Sequence, residues 1–288
     1  MKNLVEIYCL SDDLVKYFSK IGKKFSAVGR KATLSRQEYI TLALLKQEMG
    51  IKTNKQLYEF VAEYMRRDFP TLPSYVQFNQ GLKNNFGYLI LMTILLTQSN
   101  KAHKANCYIV DSSPMPICAN AHRSSVTIDL GLASSGKNLN GWYYGFKLHI
   151  IINDFMEIVA VKFTDASMHD IEVLDEHMVR GLYGWLVGDK GYISKKKSQE
   201  LFQRGIKLLT RPRKNMKKYP ATHKEARLLA CRQRVETVFS QLKHRFMLIN
   251  HYARSLESFF GQALAAIIAY SLQKSTNLSF DCAAFLGF

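Results

Sequence analysis

The sequence predicts an α/β protein: an all-α region over residues 1–100, followed by a mixed sheet flanked by helices over residues 105–275. Three observations carry the prediction. The first hundred residues divide into stretches with apolar side chains at helical spacing, set apart by capping residues and prolines. From about residue 104 the pattern turns to short runs rich in β-branched and aromatic residues. Those runs then alternate with helical stretches before long helices close the chain.

In the first region Asp12–Ile21, Ser35–Met49, Thr53–Arg67 and Ser74–Asn84 read as separate helices, with Ser35 and Thr53 as N-caps. Tyr39, Ala43 and Leu44, then Leu57, Phe60, Val61 and Tyr64, supply their apolar stripes. Pro70 and Pro73 forbid a continuous helix, so residues 53–85 form a candidate helix-turn-helix whose second helix displays Gln77, Gln80, Lys83 and Asn84. Amide side chains of this kind read adenine edges in a major groove. The alternative for the same residues is a packing or dimerisation module. Gly87–Thr97 reads as an apolar helix, and TQSNKAHKAN after it as the linker.

In the second region CYIVD (107–111), WYYGFKLHIIIN (142–153) and IVAVKF (158–163) read as strands, the last two joined across Asn153 and Asp154. Ser167 and Asp170 resemble a capping signature opening a helix through Met178. Trp185–Gly188 is a further strand, Lys195–Arg204 a helix, Ile206–Leu209 a strand, and residues 222–250 and 256–274 are long helices. GLASSGKN (131–138) approaches a P-loop, yet Asn138 replaces the Ser or Thr that would bind Mg²⁺ and no helix follows. It reads as a loop between strands, which argues against an ATPase. TRPRKNMKKYPATHK (210–224) reads as a basic loop.

The formal charge is +17, and between Lys195 and Arg254 there are 17 basic residues against Glu200, Glu225 and Glu236. A polyanionic partner follows. The longest apolar run, Tyr88–Leu96, is about half of the roughly 20 residues that span a bilayer, which favours nucleic acid over membrane. The start MKNLVEIYCLSDD is too short and too acidic for a signal peptide. Cys9, Cys107, Cys118, Cys231 and Cys282 form no C-x-x-C pair, which fits a reducing compartment and speaks against a zinc cluster. The expectation is a cytoplasmic protein.

Asp111 ends an apolar strand, and Asp189 follows another in WLVGDKGY. An ionised aspartate at the end of a buried strand is costly unless something neutralises it. Glu236 lies in CRQRVETVFSQLKHRF (231–246), where Val235, Val238, Phe239, Leu242 and Phe246 make one apolar stripe. Arg232, Glu236 and Lys243 follow R-x3-E-x6-K, one and then two helical turns, so they can face a single strand of phosphates, with Arg234 beside them. The plain alternative is a solvated face carrying an Arg232/Glu236 pair. Two carboxylates about 4 Å apart repel by roughly 4 kcal/mol at an effective dielectric of 20. Divalent cations reverse that sign, and Asp111, Asp189 and Glu236 together could hold two of them about 3.5 to 4 Å apart. Lys147 and His149 share a face of their strand, with Asp111's face as the candidate; Lys147 would touch phosphate, while His149 reads as a core histidine. Asp165, His169 and Asp170 mimic a metal site, but capping accounts for Asp170.

VDSSP around Asp111, GWYYGFKLH at 141–149, GDKGY at 188–192 and R-x3-E-x6-K at 232–243 resemble, in matching order, the DDE-type transposases of bacterial insertion sequences. The resemblance covers residues 105 to about 250. It implies a ribonuclease H-like catalytic domain with Asp111, Asp189 and Glu236 as ligands of two Mg²⁺ ions, for which Mn²⁺ substitutes. It further implies Arg232 and Lys243 as contacts to terminal DNA and a homo-oligomer, expected to be a dimer, on that DNA, associated with the nucleoid when bound. One departure stands out: the family often has a tyrosine three residues before the arginine, and here that residue is Leu229. The expected activity is metal-dependent cleavage of the element's ends and transfer of the 3′-hydroxyl into target DNA. Two rivals share these features: a structure-specific nuclease on the same fold, and an inactive DNA-binding relic.

Overall fold

A computed structural model describes residues 3–21, 32–103, 105–119, 121–122, 131–138, 141–213, 216, 221–249 and 253–274. In chain order the helices and strands are α1 (Leu4–Ile21), α2 (Arg36–Glu48), α3 (Asn54–Tyr64), α4 (Tyr75–Asn84), α5 (Phe86–Ala102), β1 (Cys107–Ala119), β2 (Ser134–Asn138), β3 (Gly141–Asn153) and β4 (Ile158–Asp165). They continue with α6 (Glu176–Val179), β5 (Gly184–Gly188), α7 (Lys195–Gln203), β6 (Ile206–Thr210), α8 (His223–Ala230), α9 (Gln233–His244) and α10 (Leu256–Lys274). The chain divides into two compact units, Met1–Ile94 with Leu242–Phe288, and Leu95–Gln241.

In the first unit α2 is the central helix and packs against α1, α4 and α10. Its residues 39–42 and 44–48 are all buried, which is why it lacks a polar face. Ser35, Thr53 and Ser74 close reciprocal capping boxes with Glu38, Gln56 and Gln77, so the sequence places these three helix starts within a residue. Leu42, Leu57, Val61, Phe69 and Phe78 form the core between these helices. Lys46 is buried and donates to Asn54 Oδ1 at 2.9 Å and Gln262 Oε1 at 2.7 Å; burial lowers its amine to about 8. α10 belongs to this unit, although sequence order sets it after the strands. α5 continues to Ala102, through most of the segment that reads as a linker.

The second unit is built on a six-stranded sheet in the order β2-β3-β1-β5-β6, with β4 also paired to β3. β3 runs antiparallel to its neighbours β1 and β4, and β5 and β6 run parallel to β1. Tyr108, Val110, Ile151, Leu186, Leu201 and Ile206 bury one face of the sheet. β1 continues past Asp111 to Ala119 despite Pro114 and Pro116. It pairs with β5 only over Cys107–Ile109, so beyond that point one side of β1 needs no ladder donors.

Three local expectations are corrected. Residues 134–138 are strand β2, paired with Gly141–Gly145 of β3, and not a loop. The helix expected through Met178 is a 3₁₀ turn, Asp170–Val173, followed by the single turn of α6, and the capping side chain is Asp175. The helix expected over 222–250 is interrupted between α8 and α9, with Arg232 at the break. Cys282 and much of the basic stretch 210–224 lie outside the described residues. Among the described residues no helix is long and apolar enough to cross a membrane.

Candidate active site

Sheet register brings the two aspartates together. Ile109 pairs with Val187 in the parallel β1/β5 ladder, so Asp111 and Asp189 each stand two residues beyond that pair, at the same end of neighbouring strands. β5 ends at Gly188, and Asp189 caps the 3₁₀ turn Lys190–Tyr192, its Oδ1 accepting the Gly191 N–H at 2.7 Å. Asp111 is 18% exposed. Its Oδ1 accepts from the Ser112 N–H at 2.9 Å and its Oδ2 from Arg232 Nη1 at 3.3 Å. Burial pushes the Asp111 carboxyl up to about 6; Asp189 and Asp170 add to this, and the Ser112 N–H and Arg232 oppose it.

Glu236 comes from the first turn of α9, where Val235, Val238 and Phe239 are buried and turn Glu236 outward, 53% exposed. Arg232 links it to the strands: Nη2 donates to Glu236 Oε1 at 2.5 Å while Nη1 reaches Asp111. The surface pair expected from the i,i+4 spacing is therefore present, but it is half of a bridge. A cleft of about 210 Å³ beside it is lined by Arg211, Leu229, Ala230, Arg232, Gln233 and Glu236. Leu229 thus puts an apolar wall next to the guanidinium.

The donors suit Mg²⁺ or Mn²⁺ in kind, since all are hard carboxylate oxygens. Among the described residues no three Asp, Glu, His or Cys side chains converge as a ready-made metal cage. The guanidinium of Arg232 lies between Asp111 and Glu236, where positive charge is needed. The raised Asp111 carboxyl shows that this charge does not offset the cost of burial, so a divalent ion would find a carboxylate made unstable as an anion. The residues fit such an ion once Arg232 releases them.

The remaining sequence candidates are placed as follows. Ser112 pairs with His149 and Pro114 with Lys147, whereas Asp111 pairs with Ile150. Lys147 and His149 therefore lie on the opposite face of the sheet from Asp111, correcting the expected shared face. His149 Nε2 is 2.9 Å from Thr164 Oγ1, and burial lowers its imidazole to about 4, so it is a neutral core histidine. Lys147 Nζ donates to Met168 O at 2.7 Å and to Asp170 Oδ1 at 3.2 Å. Arg234 donates to the Asp154 carbonyl at the β3–β4 turn. Lys243 occupies the last turn of α9. In α4, Gln77 and Gln80 are exposed, but Gln77 also caps the helix and Gln80 bonds Asn84; Lys83 is half-buried. Asp170 is the acid that sequence reading assigned to a helix cap, and it faces this site instead. Its sequence signals are the S-x-x-D signature with Ser167 and its place beside Asp165 and His169.

A central strand flanked by antiparallel β3 and parallel β5, with β2 and β4 paired to β3, β6 at the other edge and helices around the sheet, is the ribonuclease H-like arrangement. Residues 101–256 match the family model described as "Transposase DDE domain", and the chain belongs to that family. Among solved structures it resembles the piggyBac transposase synaptic complex with hairpin DNA, at 8% identity and a TM-score of 0.53, covering 94% of this chain and 75% of that one. That likeness concerns the fold. The Mos1 transposase paired-end complex with left transposon end is matched at 11% identity over 93% of this chain and 88% of that one, with a TM-score of 0.25, too low to bear on the fold. No curated protein matches the chain by sequence.

Proposed function

We propose that the protein is the transposase of a bacterial insertion sequence, cutting the element's ends by metal-dependent hydrolysis and transferring the freed 3′-hydroxyl into target DNA. The observation that supports this most is the Asp111–Arg232–Glu236 bridge set beside Asp189 in a chain of the transposase DDE family. Asp111, Asp189 and Glu236 would hold two Mg²⁺ ions, with Mn²⁺ as a substitute, and a bound ion would supply Lewis-acid activation of water and charge neutralisation at the phosphodiester.

The chain's own residues do the rest. Arg232 exchanges its carboxylates for a DNA phosphate, moving the same positive charge from the protein's acids to the substrate. Lys243 and Arg234 supply further phosphate contacts, while Gln77, Gln80 and Lys83 of α4 meet the terminal repeats. The active form is a homo-oligomer, a dimer on paired ends, working at the bacterial nucleoid.

A nuclease on this fold would cut and stop, so joining is the discriminating step. Purified protein, Mg²⁺, pre-cut end DNA with a free 3′-hydroxyl and a supercoiled plasmid should give end–plasmid joints. Cleavage of end DNA without any joint would replace the transposase reading with the nuclease.

A further inference from the structure

Asp170 opens the 3₁₀ turn that packs beside the Lys190–Tyr192 turn. Its Oδ1 accepts from Ser112 Oγ and from Lys147 Nζ, each at 3.2 Å. Its Oδ2 makes no hydrogen bond among the described residues. A Cβ added at Gly191 would lie 3.1 Å from that oxygen and 2.9 Å from Asp189 Oδ1, so both carboxylates close on the bare backbone of Gly191. Asp170 is held from the sheet face of Lys147 and Ser112, and β1 pairs with β5 only as far as Ile109.

Tyr192 is an independent sign that something polar belongs here. Its ring lies against Gly188, within 3.0 Å of where a Cβ would stand, and the residue is fully buried. Its hydroxyl has no hydrogen-bond partner. Burial, together with the charges of Asp170, Asp111 and Asp189, keeps the phenol protonated well above its usual range. A buried hydroxyl without a partner is costly unless a water or the hydration shell of a cation reaches it.

We propose that Asp170 is a fourth acid of the site, a positioning residue whose charge behind Asp189 and Asp111 strengthens their hold on a divalent cation. This rests on the metal-dependent reading above. Lys147 tempers that charge through its ion pair with Asp170.

The test is Mn²⁺ binding to the full chain, followed by the paramagnetic resonance of the free ion. Asp170→Asn keeps an oxygen acceptor for Ser112 and Lys147 but loses the charge, and should weaken Mn²⁺ binding about tenfold at an unchanged melting temperature. Lys147→Met should do the reverse and tighten it severalfold; a merely structural Asp170–Lys147 pair would weaken binding in both variants. Wild-type affinity in Asp170→Asn, or unchanged or weakened binding in Lys147→Met, overturns the inference. If Asp170→Asn does not fold, Lys147→Met decides alone: tighter binding supports the inference, and unchanged or weaker binding ends it. Asp111→Asn separates the two levels. Loss of Mn²⁺ there with retention in Asp170→Asn removes only Asp170, whereas retention in both removes the metal reading of the whole site.

Discussion

Replacing Asp111 by Asn should make the protein more stable at neutral pH. Burial raises this carboxyl from 3.8 to about 6 despite Arg232 and the Ser112 N–H. At about 1.4 kcal/mol per unit, ionising it in the folded state costs roughly 3 kcal/mol. The folded pKa lies above the unfolded one, so between about pH 4 and 6 the native state holds a proton that the unfolded chain has lost. Stability therefore falls as pH rises through that window, and the full cost is present above it. His149 works the other way: burial lowers it to about 4, so between about pH 4 and 6.5 the unfolded chain holds the extra proton and stability rises with pH. The two slopes oppose each other in wild type, and only the difference between Asp111→Asn and wild type isolates the carboxylate. Urea denaturation in EDTA from pH 4 to 8 would measure it by tryptophan fluorescence. Trp142 and Trp185 are the only tryptophans and both lie in the second unit, so the signal reports the unit that holds Asp111. A gain of about 2–3 kcal/mol at pH 8, shrinking to near zero at pH 4, is expected. A variant less stable than wild type at pH 8, or a gap independent of pH, would refute this electrostatic account.

Other substitutions test the separate parts. Gly81→Ala puts a Cβ 2.1 to 2.4 Å from the Tyr39 ring, and overpacking should cost about 1–3 kcal/mol in thermal melts despite the better helix propensity of alanine. Gln80→Ala should weaken binding to the element's terminal DNA at an unchanged melting temperature, whereas Gln77→Ala should also lower the melting temperature through its lost cap; wild-type DNA affinity in both would leave α4 a packing helix. Lys243→Ala should make the slope of log affinity against log salt shallower by about one, and an unchanged slope would remove its phosphate contact.

Much of this architecture is legible in the sequence because its signals are local. Ser35, Thr53 and Ser74 carry their own capping partners three residues on, and the β-branched and aromatic runs at 107–111, 142–153 and 185–188 read as strands, which they are. What escaped depends on contacts distant in sequence. SSGKN has no strand composition and becomes β2 because Gly141–Gly145 offers it an open edge. The α8–α9 break carries neither proline nor glycine; its Arg232 engages Asp111, 121 residues away. For the same reason Asp170 reads as a cap: its partners Ser112 and Lys147 are 58 and 23 residues distant, and no short window contains them. Asp111 and Asp189 each follow an apolar strand, and Glu236 sits beside the apolar stripe of α9, which is why these three charges stand out in the sequence.

If these three carboxylates act together through a divalent ion, cleavage of the element's ends requires both the metal and Glu236. Labelled DNA from both ends of the element is incubated with wild type and with Glu236→Gln in Mg²⁺, Mn²⁺ or EDTA, and binding is followed in parallel by gel shift. Nicks at fixed positions are expected in either metal, none in EDTA, and none from a Glu236→Gln protein that still binds the DNA. Nicks of equal yield from Glu236→Gln, or in EDTA, would contradict that requirement.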